Sequence, residues 1–294
     1  MLTVSNLSLQ FGKKVLFDEV NITFNPGNCY GIIGANGAGK STFLKILSGD
    51  LEPNSGSVNV EPGKRLSVLE QNHNIYDDHK VIDTVLIGNK KLFEIKNKME
   101  ELYSKEDFSD ADGDLVGKLQ SEYEEIGGWN AESDAANLLS HIDIQESLHN
   151  LKMEDLEGRQ KVRVLLAQSL FGNPDVLIMD EPTNDLDYDT IMWLEGFLAN
   201  YENTVIIVSH DRHFLDSVCT HISDIDFGKI NHFSGNYTFW YESSQLALRQ
   251  KTQQNKKQKK RKKNLKILLL DLVLTPLNQS RRHQEKKLLD KINI

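Results

Sequence analysis

The sequence predicts an α/β fold, and three short stretches carry that prediction. Each is an apolar run that stops abruptly at polar residues. Cys29-Tyr30-Gly31-Ile32-Ile33 stops at Gly34-Ala35-Asn36-Gly37-Ala38-Gly39-Lys40-Ser41-Thr42, and Val176-Leu177-Ile178-Met179 stops at Asp180-Glu181. Thr204-Val205-Ile206-Ile207-Val208 stops at Ser209-His210-Asp211. Strands buried on both faces read as continuous apolar runs, and open α/β sheets gather ligands outside the carboxyl ends of their strands.

The first 90 residues alternate β-rich runs with turns. Leu2-Thr3-Val4, Leu7-Ser8-Leu9 and Val20 to Phe24 suggest an antiparallel flap. Ser57 to Val60 and Leu66 to Leu69 suggest two more strands, with Pro53-Asn54-Ser55-Gly56 as a turn. Thr42 to Leu47 reads as the helix that follows the first buried strand. From Lys90 to about Ser140 the chain turns acidic and helical, with a break expected near Asp110-Ala111-Asp112-Gly113. This predicts a helical hairpin inserted into the first domain. A second α/β section is expected from Val162 to Phe233, and a lysine-rich helix from Glu242 onward.

Composition excludes several classes. The 294 residues are 39% hydrophobic and 26% charged, as in soluble globular chains. The longest apolar run, Ile267 to Leu274, is interrupted by Asp271 and falls well short of the roughly 20 residues that a membrane span needs. Met1-Leu2-Thr3-Val4-Ser5 lacks the pattern of a signal peptide. Two cysteines, Cys29 and Cys219, suggest neither a disulfide framework nor a metal site, so a cytoplasmic location is expected. The net charge of −9 conceals a division. From Arg249 onward 15 Lys and Arg face 3 Asp and Glu, which leaves the rest of the chain strongly acidic. A basic arm of this kind predicts contact with nucleic acid or another polyanion, the alternative being a solvated lysine-rich helix.

The chemistry lies at the three strand ends. Gly34-x-x-x-x-Gly39-Lys40-Ser41 has the spacing of a P-loop, whose backbone N–H groups cradle phosphates at the start of a helix. Lys40 is expected to reach the β- and γ-phosphates of a nucleotide, and the Ser41 hydroxyl to ligate Mg²⁺. Asp180 is expected to hold Mg²⁺ directly or through water, and Glu181 to polarise the attacking water. His210 is placed to report a phosphate to that water. An Asp-Glu pair or a strand-end histidine is unremarkable singly; joint placement behind a P-loop makes them a site.

The series GANGAGKST, Gln71, LEGRQKVRVLLAQSLFGNPDVLIMDEPTNDLD (Leu156 to Asp187) and VSHDRHFL (Val208 to Leu215) resembles an ABC-type ATPase domain. The segment EPTNDLD, the acidic insertion after Gln71 and GNYTFWYESSQLALRQ (Gly235 to Gln250) resemble the ABC-F family of ribosome-associated ATPases without a membrane domain. The resemblance implies a P-loop ABC-type ATPase domain over 1–241, with an antiparallel β flap and a helical arm at about 90–140. A helical basic linker would follow over 242–294. It implies ATP and Mg²⁺ as cofactors, Phe11 stacking on adenine, and Gln71 ligating Mg²⁺ or positioning water. Glu181 would be the catalytic base, His210 the switch, and Asp187 a residue of the dimer interface. It also implies ribosome or RNA contact through arm and tail, and no membrane subunit. The family carries two such domains per chain, so a truncated chain is expected, pairing with a second domain from a homodimer or a missing half.

Two departures stand out. Where the family has Leu-Ser-Gly-Gly-Gln, this chain has Leu156-Glu157-Gly158-Arg159-Gln160. Glu157 would set a carboxylate beside the partner domain's phosphate, and Arg159 could offset it. Residues 265–285 are also too apolar for the linker. One reverse translation of Ile267 to Lys287, shifted by one base, reads FIIRFSANASKSKQTSPRKK, which predicts two compensating indels near Leu265 and Lys286-Lys287. A lineage-specific linker is the alternative. Two rival functions also stand: the ATP-binding subunit of an ABC transporter, and a truncated nucleotide-binding fragment without useful turnover.

Overall fold

The structure is a computed structural model that describes residues 1–274. The chain divides into two compact units, Met1–Thr238 and Phe239–Ile294. The first unit opens with β1 (Leu2–Phe11) and β2 (Lys14–Phe24), an antiparallel hairpin. The three separate runs expected near the N-terminus are thus two long strands. Bulges between Val4 and Gln10 keep Leu7 and Leu9 buried as the register shifts. Next come β3 (Cys29–Gly34), α1 (Lys40–Ser48) and β4 (Ser55–Val60), and β4 completes a three-stranded antiparallel sheet beside β1.

A strand of three residues follows, β5 (Leu66–Val68). Although it looked like one more strand after the flap, it pairs in parallel with β6 (Val176–Asp180) in the other sheet. Its partner supplies the reason. Leu69 N–H donates to the Ile178 carbonyl and Val176 N–H to the Arg65 carbonyl, so both ends of β5 are fixed to β6.

Between these neighbours the chain makes a helical excursion through α2 (Val81–Ile87), α3 (Lys90–Tyr103), α4 (Asp110–Glu125), α5 (Ala131–His141) and α6 (Gly158–Leu170). Helices α3 and α4 bury facing rows, Leu92, Ile95, Met99 and Leu102 on one, Val116, Leu119 and Tyr123 on the other. The break between them lies at 104–109, before the Asp-Ala-Asp-Gly expected to form it. That tetrapeptide is the first turn of α4, because Ser109 and Asp112 form a reciprocal capping box. Lys105 and the Ser109 donors hold the Asp112 carboxyl below the usual carboxylate range. At its base the excursion is closed by backbone rungs: Met153 N–H to His79, Val81 N–H to Leu151, and Ile82 N–H to His149.

The chain ends its first unit with α7 (Tyr188–Ala199), β7 (Thr204–Val208), α8 (Arg212–Val218), β8 (His221–Asp226) and β9 (Lys229–Ser234). The six-stranded sheet runs β5-β6-β7-β3-β8-β9, parallel except for β9. This sets the ends of β3, β6 and β7 along one edge. Beneath them Phe17, Phe24 and Phe43 pack flap, sheet and α1 into one fully buried cluster. The two cysteines, one at the start of β3 and one at the end of α8, meet as free thiols, Sγ to Sγ 3.9 Å.

The second unit is described as the helix α9 (Tyr237–Leu274), which begins at the end of the first unit. Its lysine-rich stretch is exposed from Arg249 to Asn264. Residues 275–287 of the expected shifted segment lie outside the described residues. Among the described residues no helix is long and apolar enough to cross a membrane.

Candidate functional site: the cavity at the strand ends

The loop between β3 and α1 turns tightly because Gly34 and Gly39 hold positive φ, +151° and +106°. A Cβ at Gly34 would strike the Ile225 carbonyl at 2.8 Å, and one at Gly39 would press on the buried Phe17 ring at 3.0 Å, on top of the strain of a positive φ at both. Lys40 folds back over the loop, its Nζ donating to the Gly34 carbonyl at 3.1 Å and reaching Ala35 at 3.4 Å. No side chain caps the first turn of α1. Its leading N–H groups and the positive end of its dipole therefore face the loop without an anion of the protein's own.

A cavity of about 370 Å³ opens in front of that turn, lined by Lys40, Ser41 and Thr42 on one side and by Gln71, Asp180, Glu181 and His210 on the other. Gln71 Nε2 donates to Asp180 Oδ2 at 3.1 Å, joining the end of β5 to the end of β6. Glu181 holds a positive φ of +54° and is tied to β7 by its N–H on the Val208 carbonyl, at 2.8 Å. Its Oε2 accepts from the His210 backbone N–H at 3.1 Å. Its Oε1 is buried without a hydrogen-bond partner, 3.6 Å from His210 Nε2. A buried carboxylate oxygen that nothing satisfies asks for a donor from the cavity. The uncapped helix end and this oxygen fit a phosphate chain and a water, and Ser41, Gln71 and Asp180 form an oxygen-rich donor set suited to Mg²⁺.

Gly37 and Gly39 line the cavity too, whereas Phe11, Leu156 to Gln160 and Asp187 do not. Phe11 stands 54% exposed at the β1–β2 turn. Leu156 is buried, and Gly158 and Arg159 are exposed. Glu157 is the N-cap of α6: its carboxylate accepts from the Gln160 N–H, and Gln160 Oε1 accepts from the Glu157 N–H at 3.1 Å. Asp187 caps α7 by accepting from Thr190 N–H at 2.8 Å and also pairs with Arg163. The Thr190 N–H, and then the guanidinium, hold its carboxyl below the usual range.

Sequence reasoning passed over Arg163 and Lys161. Arg163 joins Asp187 to Asp143, which lies 3.1 Å away. Lys161 is a buried amine on α6 that bonds Asp77 at 2.5 Å and Asn74 at 3.2 Å, pinning the segment after Gln71. The available signal was a lysine at helical spacing from Val164 and Leu165, on an apolar face where a charge must be paired.

A family profile described as ABC transporter matches residues 17–184, and a second of the same description matches 223–293. The ABC transporter ATP-binding protein YkpA of Bacillus subtilis (strain 168) is 54% identical over 294 residues, which is 100% of this chain and 54% of that protein. The probable ATP-binding protein YbiT of Escherichia coli O157:H7 is 44% identical over 87% of this chain and 48% of its own length. The energy-dependent translational throttle protein EttA of Mycobacterium tuberculosis (strain CDC 1551 / Oshkosh) is 32% identical over 82% of the chain and 43% of its own length. The chain thus spans about half the length of these relatives. Among solved structures, an ATP-binding subunit of an ABC transporter aligns with a TM-score of 0.61 at 17% identity, covering 80% of this chain and 90% of its own. A nucleotide-free ATP-binding cassette aligns with a TM-score of 0.55 at 23% identity, over 80% and 91%. Likeness at such low identity speaks for the fold, an ABC ATPase cassette of the α/β class. With the first profile covering more than half of its residues, the chain belongs to the ABC transporter family of ATP-binding proteins.

Proposed function

We propose that this chain is the ATP-binding and hydrolysing half of an ABC-F-type protein that acts on ribosomes in the cytoplasm. The observation that carries the chemistry is the buried, unsatisfied Glu181 Oε1 in the cavity faced by the uncapped end of α1. Glu181 would orient and deprotonate the attacking water, with His210 holding that carboxylate from its backbone N–H. Lys40 and the α1 N–H groups would bind the phosphates, and Phe11 would stack on the base. Mg²⁺, held by Ser41, Gln71 and Asp180, would neutralise phosphate charge when bound. Turnover would require a second ABC domain, from a second copy or from the rest of a longer polypeptide.

The ribosome reading is supported by the exposed basic stretch of α9, the helical hairpin α3–α4 and the similarity to a protein named for translational throttling. Sedimentation with ribosomes across a salt series tests it. Each phosphate neutralised by a lysine releases a counterion and steepens the salt dependence. Replacing Lys256, Lys257, Lys259 and Lys260 by glutamine should flatten that slope and weaken binding. Equal sedimentation of parent and variant, or recovery of the chain with membranes instead, would reject the reading.

A further inference from the structure

Lys14 stands beside the phosphate cavity and belongs to none of the motifs. It lies directly opposite Phe11 where the β1–β2 hairpin closes. Its Nζ donates to the Gly37 carbonyl at 3.1 Å, at the crest of the P-loop, where φ is +76°. The Gly37–Ala38 peptide plane is held from its other side as well, because Ala38 N–H donates to the Ala35 carbonyl at 3.0 Å. That same Ala35 carbonyl is within 3.4 Å of Lys40 Nζ. A planar peptide transmits the orientation of its carbonyl to its N–H. The bonds therefore run without interruption from Lys14, through the crest peptide and Ala35, to Lys40.

We propose that Lys14 is a positioning residue for nucleotide binding, coupling the hairpin that bears Phe11 to the phosphate-facing Lys40 through the Gly37–Ala38 peptide. It rests on the reading of Phe11 and the P-loop as the two ends of one nucleotide site. Without Lys14 the crest peptide loses the partner of its carbonyl, and Gly37, with no side chain, is free to turn it. The hairpin then grips the base without setting the loop. Lys14 is exposed, so its loss leaves the buried core intact.

Titrations of the full chain with ATP-Mg²⁺ and with inorganic tripolyphosphate-Mg²⁺ separate the outcomes. Lys14→Ala should weaken ATP about tenfold, the scale of one hydrogen bond to a charged group. Lys14→Arg, which keeps a donor of similar reach, should restore most of that affinity. Tripolyphosphate, which has no base for Phe11, should lose clearly less than ATP. In a Phe11→Ala background the effect of Lys14→Ala on ATP should shrink to about two- to threefold, as residues acting together are non-additive. Additive effects of the two substitutions, equal losses for both ligands, or failure of arginine to restore binding would each overturn the coupling. Lys40→Ala checks the underlying assignment separately. If ATP affinity survives Lys40→Ala the site itself is misassigned, whereas its loss alongside a silent Lys14→Ala rejects only the coupling.

Discussion

Helices α1 and α6 begin in opposite ways. Helix α1 starts at Lys40 with no side chain capping its first turn, whereas α6 starts under Glu157, whose carboxylate and Gln160 satisfy each other's backbone N–H groups. The dipole of either helix favours an anion at that end. In α1 the place is left for a ligand; in α6 the protein fills it. The two loops that the family resemblance assigns to opposite sides of a phosphate are therefore unequal here. On the proposed function the chain would bind at its own P-loop and be poorly prepared to complete a partner's site.

The largest effect tests the open side. Glu181→Gln keeps the shape of the side chain but cannot accept a proton, and should lower ATP turnover about a hundredfold or more while ATP stays bound. Phosphate release and nucleotide binding measured on the same sample check it; unchanged turnover would remove Glu181 from the chemistry.

The closed side gives an intermediate effect. Glu157→Ala removes the cap and should cost about 1 kcal/mol of stability, read as a lower denaturant midpoint. Glu157→Ser keeps a capping oxygen without the charge, so stability should hold. If two copies pair, turnover should then rise several-fold, as RT ln of such a factor is the scale of one hydrogen bond. Faster turnover in Glu157→Ala than in Glu157→Ser would mean that the loop works by absence of charge alone.

The smallest effect concerns Asp187, the carboxylate cap of α7. Its folded-state pKa is depressed, so it stabilises the fold above its unfolded value of about 4 and loses that contribution as pH falls through the folded value. Asp187→Asn keeps a cap but not the pairing with Arg163. It should melt below the parent at neutral pH and converge with it under acid, below about pH 4. A constant gap across that range would show that the Arg163 pairing adds nothing. The open start of α1 has no carboxylate to titrate and should not contribute to this acid dependence.

How much of this was legible in the sequence depends on whether residue type alone fixes a partner. The P-loop and the Asp180-Glu181 strand end were readable because phosphate chemistry demands those residues at that spacing, and Gln71, Asp180, Glu181 and His210 do line one cavity with Lys40. Leu66 to Val68 was readable as a strand but not as a member of the parallel sheet, since three residues carry no mark of their neighbour. Asp110 to Gly113 has the composition of a break, and only Ser109 three residues before Asp112 marks it as a start. Lys161, Arg163 and Lys14 were silent because their partners lie 84, 24 and 23 residues away. Glu157 was readable as a charge in the wrong place; that it caps its own helix was not.

The backbone rungs at 79–82 and 149–153 have a practical consequence. They act as a clasp: the chain that leaves at Ile82 returns at His149, with both ends held together irrespective of what lies between. Closing a flexible loop costs only about 0.6 kcal/mol more for each doubling of its length. The segment carrying α3 and α4 is therefore a cassette that can be lengthened, shortened or exchanged while Gln71 and the start of α6, which lie outside the clasp, keep their places. A reporter domain grafted into the α3–α4 loop should leave nucleotide binding untouched, making that tip the natural attachment point for following the protein at work.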